Sequence, residues 1–225
     1  MKPTYKQVTK TRYIEQISQL AEEIFVQHYT KLTPKVARAL AEKYQSDILT
    51  DDEIHSGTVN YFMIYLGSDP VGYFALDLTP TGAMCLSRLF LLEKARGQGI
   101  GRSIVAYAQK LAEGDGRSRL YLRVWAKDLK AEGFCKKCRF RKSETVPMEV
   151  LPGAHIASRL CRITVCTSIP ARSRFPHRLS RLLHNGMHEH PLAAQVAYLQ
   201  PILFISDGFR SLLRPRNPSL QSIIS

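Results

Sequence analysis

The chain has 225 residues, 44% of them hydrophobic, which suits one domain with a generous tail and is ample for a packed core. Its formal net charge is +13, yet residues 151–225 hold nine Arg, no Lys and only Glu189 and Asp207, so +7 of the excess lies in one third of the length. A polar start at Met1–Gln7, an apolar run at Leu192–Ile205 broken by Gln195, Gln200 and Pro201, and five unevenly spaced cysteines argue against a secretory leader, a membrane span and a secreted disulfide framework, so a cytoplasmic protein without a membrane partner is expected.

Tyr5–Thr9 reads as a short edge strand. Over Arg12–His28, Ile14, Ile17, Leu20, Ala21, Ile24 and Phe25 recur at three- and four-residue steps, which is one face of a helix. Pro34 suits a helix start, and Val36, Ala37, Leu40, Ala41 and Tyr44 continue a second amphipathic stripe. Tyr61–Leu66 and Val71–Leu76 are strand-like and are joined by the turn formers Gly67-Ser68-Asp69-Pro70, so they read as a hairpin. A second turn at Thr79–Gly82 leads to an apolar strand at Leu86–Leu92. Ile100, Ile104, Val105, Ala108, Leu111 and Ala112 then form a helical face ending near Gly114, and Leu120, Leu122 and Val124 alternate along a further strand. Arg139-Phe140-Arg141-Lys142 is expected to begin a sixth strand and Leu160–Cys166 to form a seventh, with Cys161, Ile163 and Val165 on one face.

Between the Leu86–Leu92 strand and the helix from Ile100 lies Arg96-Gly97-Gln98-Gly99-Ile100-Gly101. Glycines let backbone N–H groups converge on one anion, and the helix that follows adds its unpaired first-turn donors and its positive dipole end. Arg96 and Arg102 supply full charges at the rim, so the stretch predicts a pyrophosphate site. The dinucleotide fingerprint fails because its third glycine falls on Arg102, and a P-loop fails for want of Lys-Ser or Lys-Thr.

The stretch resembles the acetyl-CoA loop of the GNAT-type N-acetyltransferase superfamily, [QR]-x-x-G-x-[GA], which Arg96, Gly99 and Gly101 meet. Ser87–Leu92 is similar to that family's fourth strand, and Val124–Asp128 through Phe140–Lys142 to its N-x-x-A…Y-x-x-x-G-F end, so the resemblance covers about residues 5–166. It implies a mixed α/β fold whose fourth and fifth strands splay apart, over residues 1–166, while 167–225, Arg-rich and without sustained periodicity, read as a basic, poorly ordered extension. Acetyl-CoA is the co-substrate it implies, with pantetheine along the backbone of Phe90, Leu91 and Leu92 and pyrophosphate on Arg96, Gly97, Gln98, Gly99, Ile100, Gly101 and Arg102, beside Asp128.

The implied reaction is acetyl transfer to a primary amine, of a small molecule or of a peptide, with the main-chain N–H near Leu91 polarising the thioester carbonyl. Three departures stand out. The family's acid, a Tyr on the helix after strand five, aligns with Cys135; its Asn is Asp128; and its Gly before the final Phe is Arg139. They point to weakened turnover, and to an impaired acyl-CoA-binding regulator as the alternative. Cys135 is also a candidate for a small buried apolar side chain. Ser87 stands where relatives often carry Glu, which leaves ordered water, Asp52 or Glu53 to take the amine's proton.

Cys135-Lys136-Lys137-Cys138 is a lone C-x-x-C, and Cys161 and Cys166 are too loosely spaced to complete a zinc site, so no metal is expected. The histidines at 184, 188 and 190 read as surface residues, and short helices at 177–184 and 192–198 are allowed. The Arg-rich tail lacks an aromatic stacking pattern, so no specific nucleic-acid partner is expected. A homodimer is left open.

Overall fold

The computed structural model describes residues 2–28, 33–126, 128–151 and 154–165. The expected extension at 167–225, with its histidines and helices, and Cys166 lie outside the described residues. Strand β1 (Pro3–Gln7) leads into helices α1 (Thr11–His28), α2 (Pro34–Gln45) and α3 (Asp47–His55). The hairpin of β2 (Val59–Leu66) and β3 (Asp69–Asp77) follows, then β4 (Ala83–Leu91), a 3-10 turn at Glu93–Ala95, and α4 (Ile100–Gly114). The remaining elements are β5 (Arg119–Trp125), α5 (Leu129–Lys137), β6 (Arg141–Leu151) and β7 (Ala154–Thr164). The seven strands form one sheet in the order β1-β2-β3-β4-β5-β7-β6, in which only β4 and β5 are parallel.

Alternation along the central strands sends successive side chains to opposite faces. Tyr61, Met63, Tyr73, Ala75 and Phe90 bury against the stripe of α1, including Ile17, Ala21 and Ile24, and against Ala37, Leu40 and Tyr44 of α2. Phe62, Ile64, Phe74, Leu76, Leu86, Leu120 and Leu122 bury against Ile104, Val105, Ala108 and Ala112 of α4 on the other face. The sheet is therefore the middle of three layers, and no helix among the described residues is long and apolar enough to cross a membrane.

Three helices, not the expected two, follow β1. Helix α3 carries Asp47, Asp51, Asp52 and Glu53 and has no sustained apolar stripe, so periodicity misses it. Its signal is the N-cap: Ser46 accepts a bond from Leu49 N–H at 3.2 Å, and Asp47 sits in the first turn. Strand β1 begins two residues before the expected Tyr5, and β7 ends at Thr164 rather than Cys166.

Strand β6 starts at Arg141, because Arg139 and Phe140 end α5 instead. Phe140 N–H donates to Cys135 C=O at 2.9 Å and Arg139 N–H to Lys136 C=O at 3.0 Å, the paired bonds of a Schellman motif. Arg139 has φ of 64°, the one non-glycine residue in the left-handed region among those described. That motif wants glycine at this position and an apolar residue after it, which is the physical content of the Gly-Phe pair in the resembling pattern.

Strands β4 and β5 pair only from Ala83–Leu86 to Arg119–Leu122 and then part, although β4 runs on to Leu91 and β5 to Trp125. A bulge marks the start of the gap: Ala75 faces Arg88 and Leu76 faces Leu86, so Ser87 is the extra residue. Its buried hydroxyl donates to Ala75 C=O at 3.3 Å. On the other side of β4 the chain holds tightly to β3, where a Cβ on Gly72 would lie 2.2 Å from the Phe90 carbonyl oxygen.

Two stability changes follow. Gly72→Ala forces β3 and β4 apart and is expected to cost about 3 kcal/mol, lowering the thermal midpoint by roughly 6–12 °C in calorimetry. Arg139→Gly removes left-handed strain and is expected to raise stability by about 1 kcal/mol in urea titration at unchanged m.

Candidate active site

The loop between β4 and α4 is shaped by Gly97 and Gly99, with φ of 75° and 79°, values that side chains with a Cβ rarely adopt. Gly99 is the N-cap of α4 and contributes no side-chain bond. The N–H groups of Ile100, Gly101 and Arg102 therefore lack helical acceptors and lie at the positive end of the dipole. Gly101 serves packing instead: a Cβ there would come within 3.0 Å of the Phe134 ring, so its bare backbone lets α5 close on α4.

A cavity of about 520 Å³ opens here, within the range of small-molecule sites. Phe90, Leu91, Arg96, Gly97, Gly99, Ile100, Gly101 and Arg102 all line it, so the structure brings most of the sequence-predicted cofactor residues together. The sequence pattern did not mark Ile24 and His28 at the end of α1, Leu89 and Ala95, or Phe134 and Lys137 of α5 with its C-cap Cys138, which complete the wall. The α5 contribution was recoverable, since 134 and 138 share a helix face one turn apart and Lys137 adds a cation beside Arg96 and Arg102.

Leu92, Gln98 and Asp128 are not in that wall. Leu92 packs with the α1 core, and its N–H donates to Val71 C=O at 2.9 Å. Gln98 is exposed and turns back to donate to Lys94 C=O at 2.7 Å. Asp128 is buried as the N-cap of α5 and accepts from Ala131 N–H at 2.8 Å, so an acidic residue stands there because a helix start needs an acceptor.

The Leu92–Val71 bond also fixes which main-chain groups face the gap. Bonded and non-bonded pairs alternate in an antiparallel ladder, so Phe90, opposite Tyr73, turns its N–H and C=O to β3, while Leu91 and Leu89 turn theirs away. The expected pairing of a ligand with the Phe90 backbone is thereby corrected: those groups are committed to β3. Leu91 C=O accepts instead from Arg96 Nε at 2.9 Å.

Cys135, at the expected acid position, is 2% exposed, hydrogen-bonded to Cys161 of β7, and absent from the cavity wall. That bond, together with burial, holds its thiol far above the usual thiol range. Cys138, one turn on, does line the cavity, so the two cysteines of the C-x-x-C face different surroundings. Among the described residues no group of three His, Cys, Asp or Glu is gathered as a metal site would require.

Of the two acids named as proton acceptors, Asp52 is exposed, while Glu53 reaches the α1 face of the sheet beside the bulge. Glu53 Oε1 accepts from Nη2 of the fully buried Arg88 at 2.9 Å, and its other oxygen accepts a very short bond from the Tyr61 hydroxyl. Gln45 Nε2 donates to the same Tyr61 oxygen at 3.1 Å and to Thr50 Oγ1 at 2.6 Å. Burial, the largest influence, pushes the Tyr61 phenol well up, so it stays a donor.

Residues 15–140 match the model of the acetyltransferase (GNAT) family. A search of curated proteins by sequence finds no match. Among solved structures, the PaiA N-acetyltransferase of Thermoplasma acidophilum in complex with coenzyme A aligns with a TM-score of 0.58 at 16% identity, covering 71% of this chain and 98% of that one. The spermidine N-acetyltransferase of Vibrio cholerae with CoA and spermine aligns with a TM-score of 0.55 at 16% identity, over 72% and 95% of the two chains. An acetyltransferase of Bacillus subtilis in complex with CoA gives 0.52 at 11% identity, over 73% and 100%. At such identities the structural likeness speaks for the fold, while the family match spans more than half of the chain, so this protein belongs to the acetyltransferase (GNAT) family.

Proposed function

We propose that the chain is an acetyl-CoA-dependent N-acetyltransferase acting on a primary amine. The observation that carries this reading is the union of two features in one cavity: the unpaired first-turn amides of α4 and the outward-facing main chain of Leu91 where β4 leaves β5. In this reading the pyrophosphate is held by the amides of Ile100, Gly101 and Arg102, with Arg96, Arg102 and Lys137 adding charge. Leu91 offers its main-chain N–H to the pantetheine amides, as an added strand would, and its carbonyl as well once Arg96 lets go of it. The bound co-substrate supplies an acetyl thioester. Its carbonyl is polarised by main-chain N–H at the gap, and the α1 face admits the amine.

Two of the similar structures are a spermidine N-acetyltransferase with spermine and an N-acetyltransferase with coenzyme A, which makes a cationic amine a reasonable first acceptor here. Cys135 has no part in the chemistry of this reading. Buried against Cys161, it fills space between α5 and β7, and the leaving thiolate takes its proton from the amine or solvent.

CoA at saturating concentration is expected to raise the thermal midpoint of the protein by several degrees, as binding at 100 times Kd adds about 2.7 kcal/mol. Replacing both rim cations, Arg96→Ala with Arg102→Ala, is expected to weaken CoA at least tenfold and to flatten the salt dependence of Kd, with no loss of fold. A midpoint that CoA does not move overturns the reading.

Acetyl transfer from acetyl-CoA is to be assayed with spermidine, tyramine and a hexapeptide with a free N-terminus. Turnover of at least one is expected, and Cys135→Ala is expected to keep kcat within about threefold, because a thiol this weakly acidic donates poorly. CoA binding with no turnover of any amine would favour an acyl-CoA-binding regulator.

A further inference from the structure

The ion pair between Arg88 and Glu53 is more open than a structural pair needs to be. Arg88 is 1% exposed, yet its fork is engaged on one side only: Nη2 bonds Glu53, while Nε, itself buried, has no hydrogen-bond partner among the described residues. Two further buried atoms of the same network, Tyr73 Oη and Gln45 Oε1, also lack partners there. Polar atoms sealed from water without partners are costly, and the cationic Arg88 Nε can only repel an ammonium, so a cation can meet only the other member of the pair. The carboxylate is the exposed member: the Glu53 side chain keeps 22% of its surface open.

The location gives this its meaning. Arg88 is the first residue past the Ser87 bulge and stands beyond the last β4–β5 pair, at Leu86 and Leu122, where the gap begins. Its side chain lies on the α1 face, against the Tyr61 ring at 5.1 Å, so Glu53 sits over the apex of the gap, on the opposite face of the sheet from α4. Glu53 is also held in place. Tyr61 from β2 and Arg88 from β4 both donate to it, and Tyr61 is in turn fixed by Gln45 from the end of α2. Other titratable groups that act on this cluster are Asp77 and Tyr73 of β3.

We infer that Glu53, presented by Arg88 and Tyr61 at the apex where β4 and β5 part, receives the acceptor's ammonium group and takes its proton. This rests on the N-acetyltransferase reading and assigns it a residue from α3, in a chain whose β4 carries Ser87 and no carboxylate there. One N–H proton of the ammonium passes to a Glu53 oxygen, leaving a neutral amine. Its lone pair forms the C–N bond as the thioester C–S bond breaks, the second proton goes to the departing thiolate, and the third stays on the amide. Glu53 then returns its proton to solvent. Arg88 and Tyr61 are positioning residues.

The test uses the full chain and the fastest amine of the three named above. Glu53→Gln alone strands a buried guanidinium, so the informative variant is the double substitution Glu53→Gln with Arg88→Met, which removes both charges together. It is expected to keep the CoA-induced midpoint shift, to bind the amine at least tenfold more weakly in calorimetry without acetyl-CoA, and to lose at least 100-fold in kcat/KM at neutral pH. Its log kcat/KM is expected to climb one decade per pH unit, because only amine already neutral in solution reacts, where the native profile is flat.

A folded double variant with native amine affinity and native profile makes the pair merely structural and overturns the inference alone. Should the double variant not fold, Glu53→Asp decides: it keeps the pair's charges but withdraws the carboxylate. A tenfold fall in kcat at unchanged KM for acetyl-CoA is then expected, and unchanged kcat overturns the inference. A native chain that acetylates none of the three amines removes the parent reading, and this one with it.

Discussion

Four residue pairs hold β4 to β5, and what distinguishes this sheet from an ordinary mixed one follows from the main-chain groups left over beyond them. A buried amide or carbonyl without a partner costs about 1–3 kcal/mol, so a sheet that opens in its middle must supply substitutes or be offered them. The structure makes the opening local. Strand β4 stays fastened to β3, through a contact so close that Gly72 admits no side chain, and the Ser87 bulge re-aims the chain where the two parallel strands diverge. Only one side of β4 is thereby released.

The two faces of that opening are chemically unlike. On the α4 side, capless first-turn amides and the cations Arg96, Arg102 and Lys137 gather in a chain already carrying +13. On the α1 side, the acidic helix α3 leans a carboxylate over the apex. The charged groups gathered on the two faces are thus largely opposite in sign.

Much of this was legible in the sequence, and what was not has physical reasons. Apolar runs bounded by turn formers gave β2, β3 and β4, which are buried on both faces, and helical stripes gave α1, α2 and α4, each of which has one face in a core. The glycine loop could be read because φ near 75° and an uncapped helix start leave few residue choices. Helix α3 escaped because it buries little, and the one sign of it is a serine cap. Asp128 and Cys135 were placed by alignment to a pattern, yet their surroundings answer to local demands: a helix start needing an acceptor, and a helix face needing a small side chain against Cys161. The Glu53–Arg88 pair joins residues 35 apart on different layers, and no local spacing announces such a contact. Arg139 is the reverse case, a departure visible in sequence whose meaning, a strained helix end, needed coordinates.

The bond from Arg96 to the Leu91 carbonyl carries a last consequence. A sheet with an open seam is exposed to strands of other molecules, which could dock there as readily as the proper guest. By folding back across the seam, the guanidinium occupies the acceptor that an intruding strand would use first. On the reading proposed above, a diphosphate nearby would offer the same arm a stronger partner. In the proposed acetyl-CoA reading, entry of the cofactor would exchange one bond of that guanidinium for another.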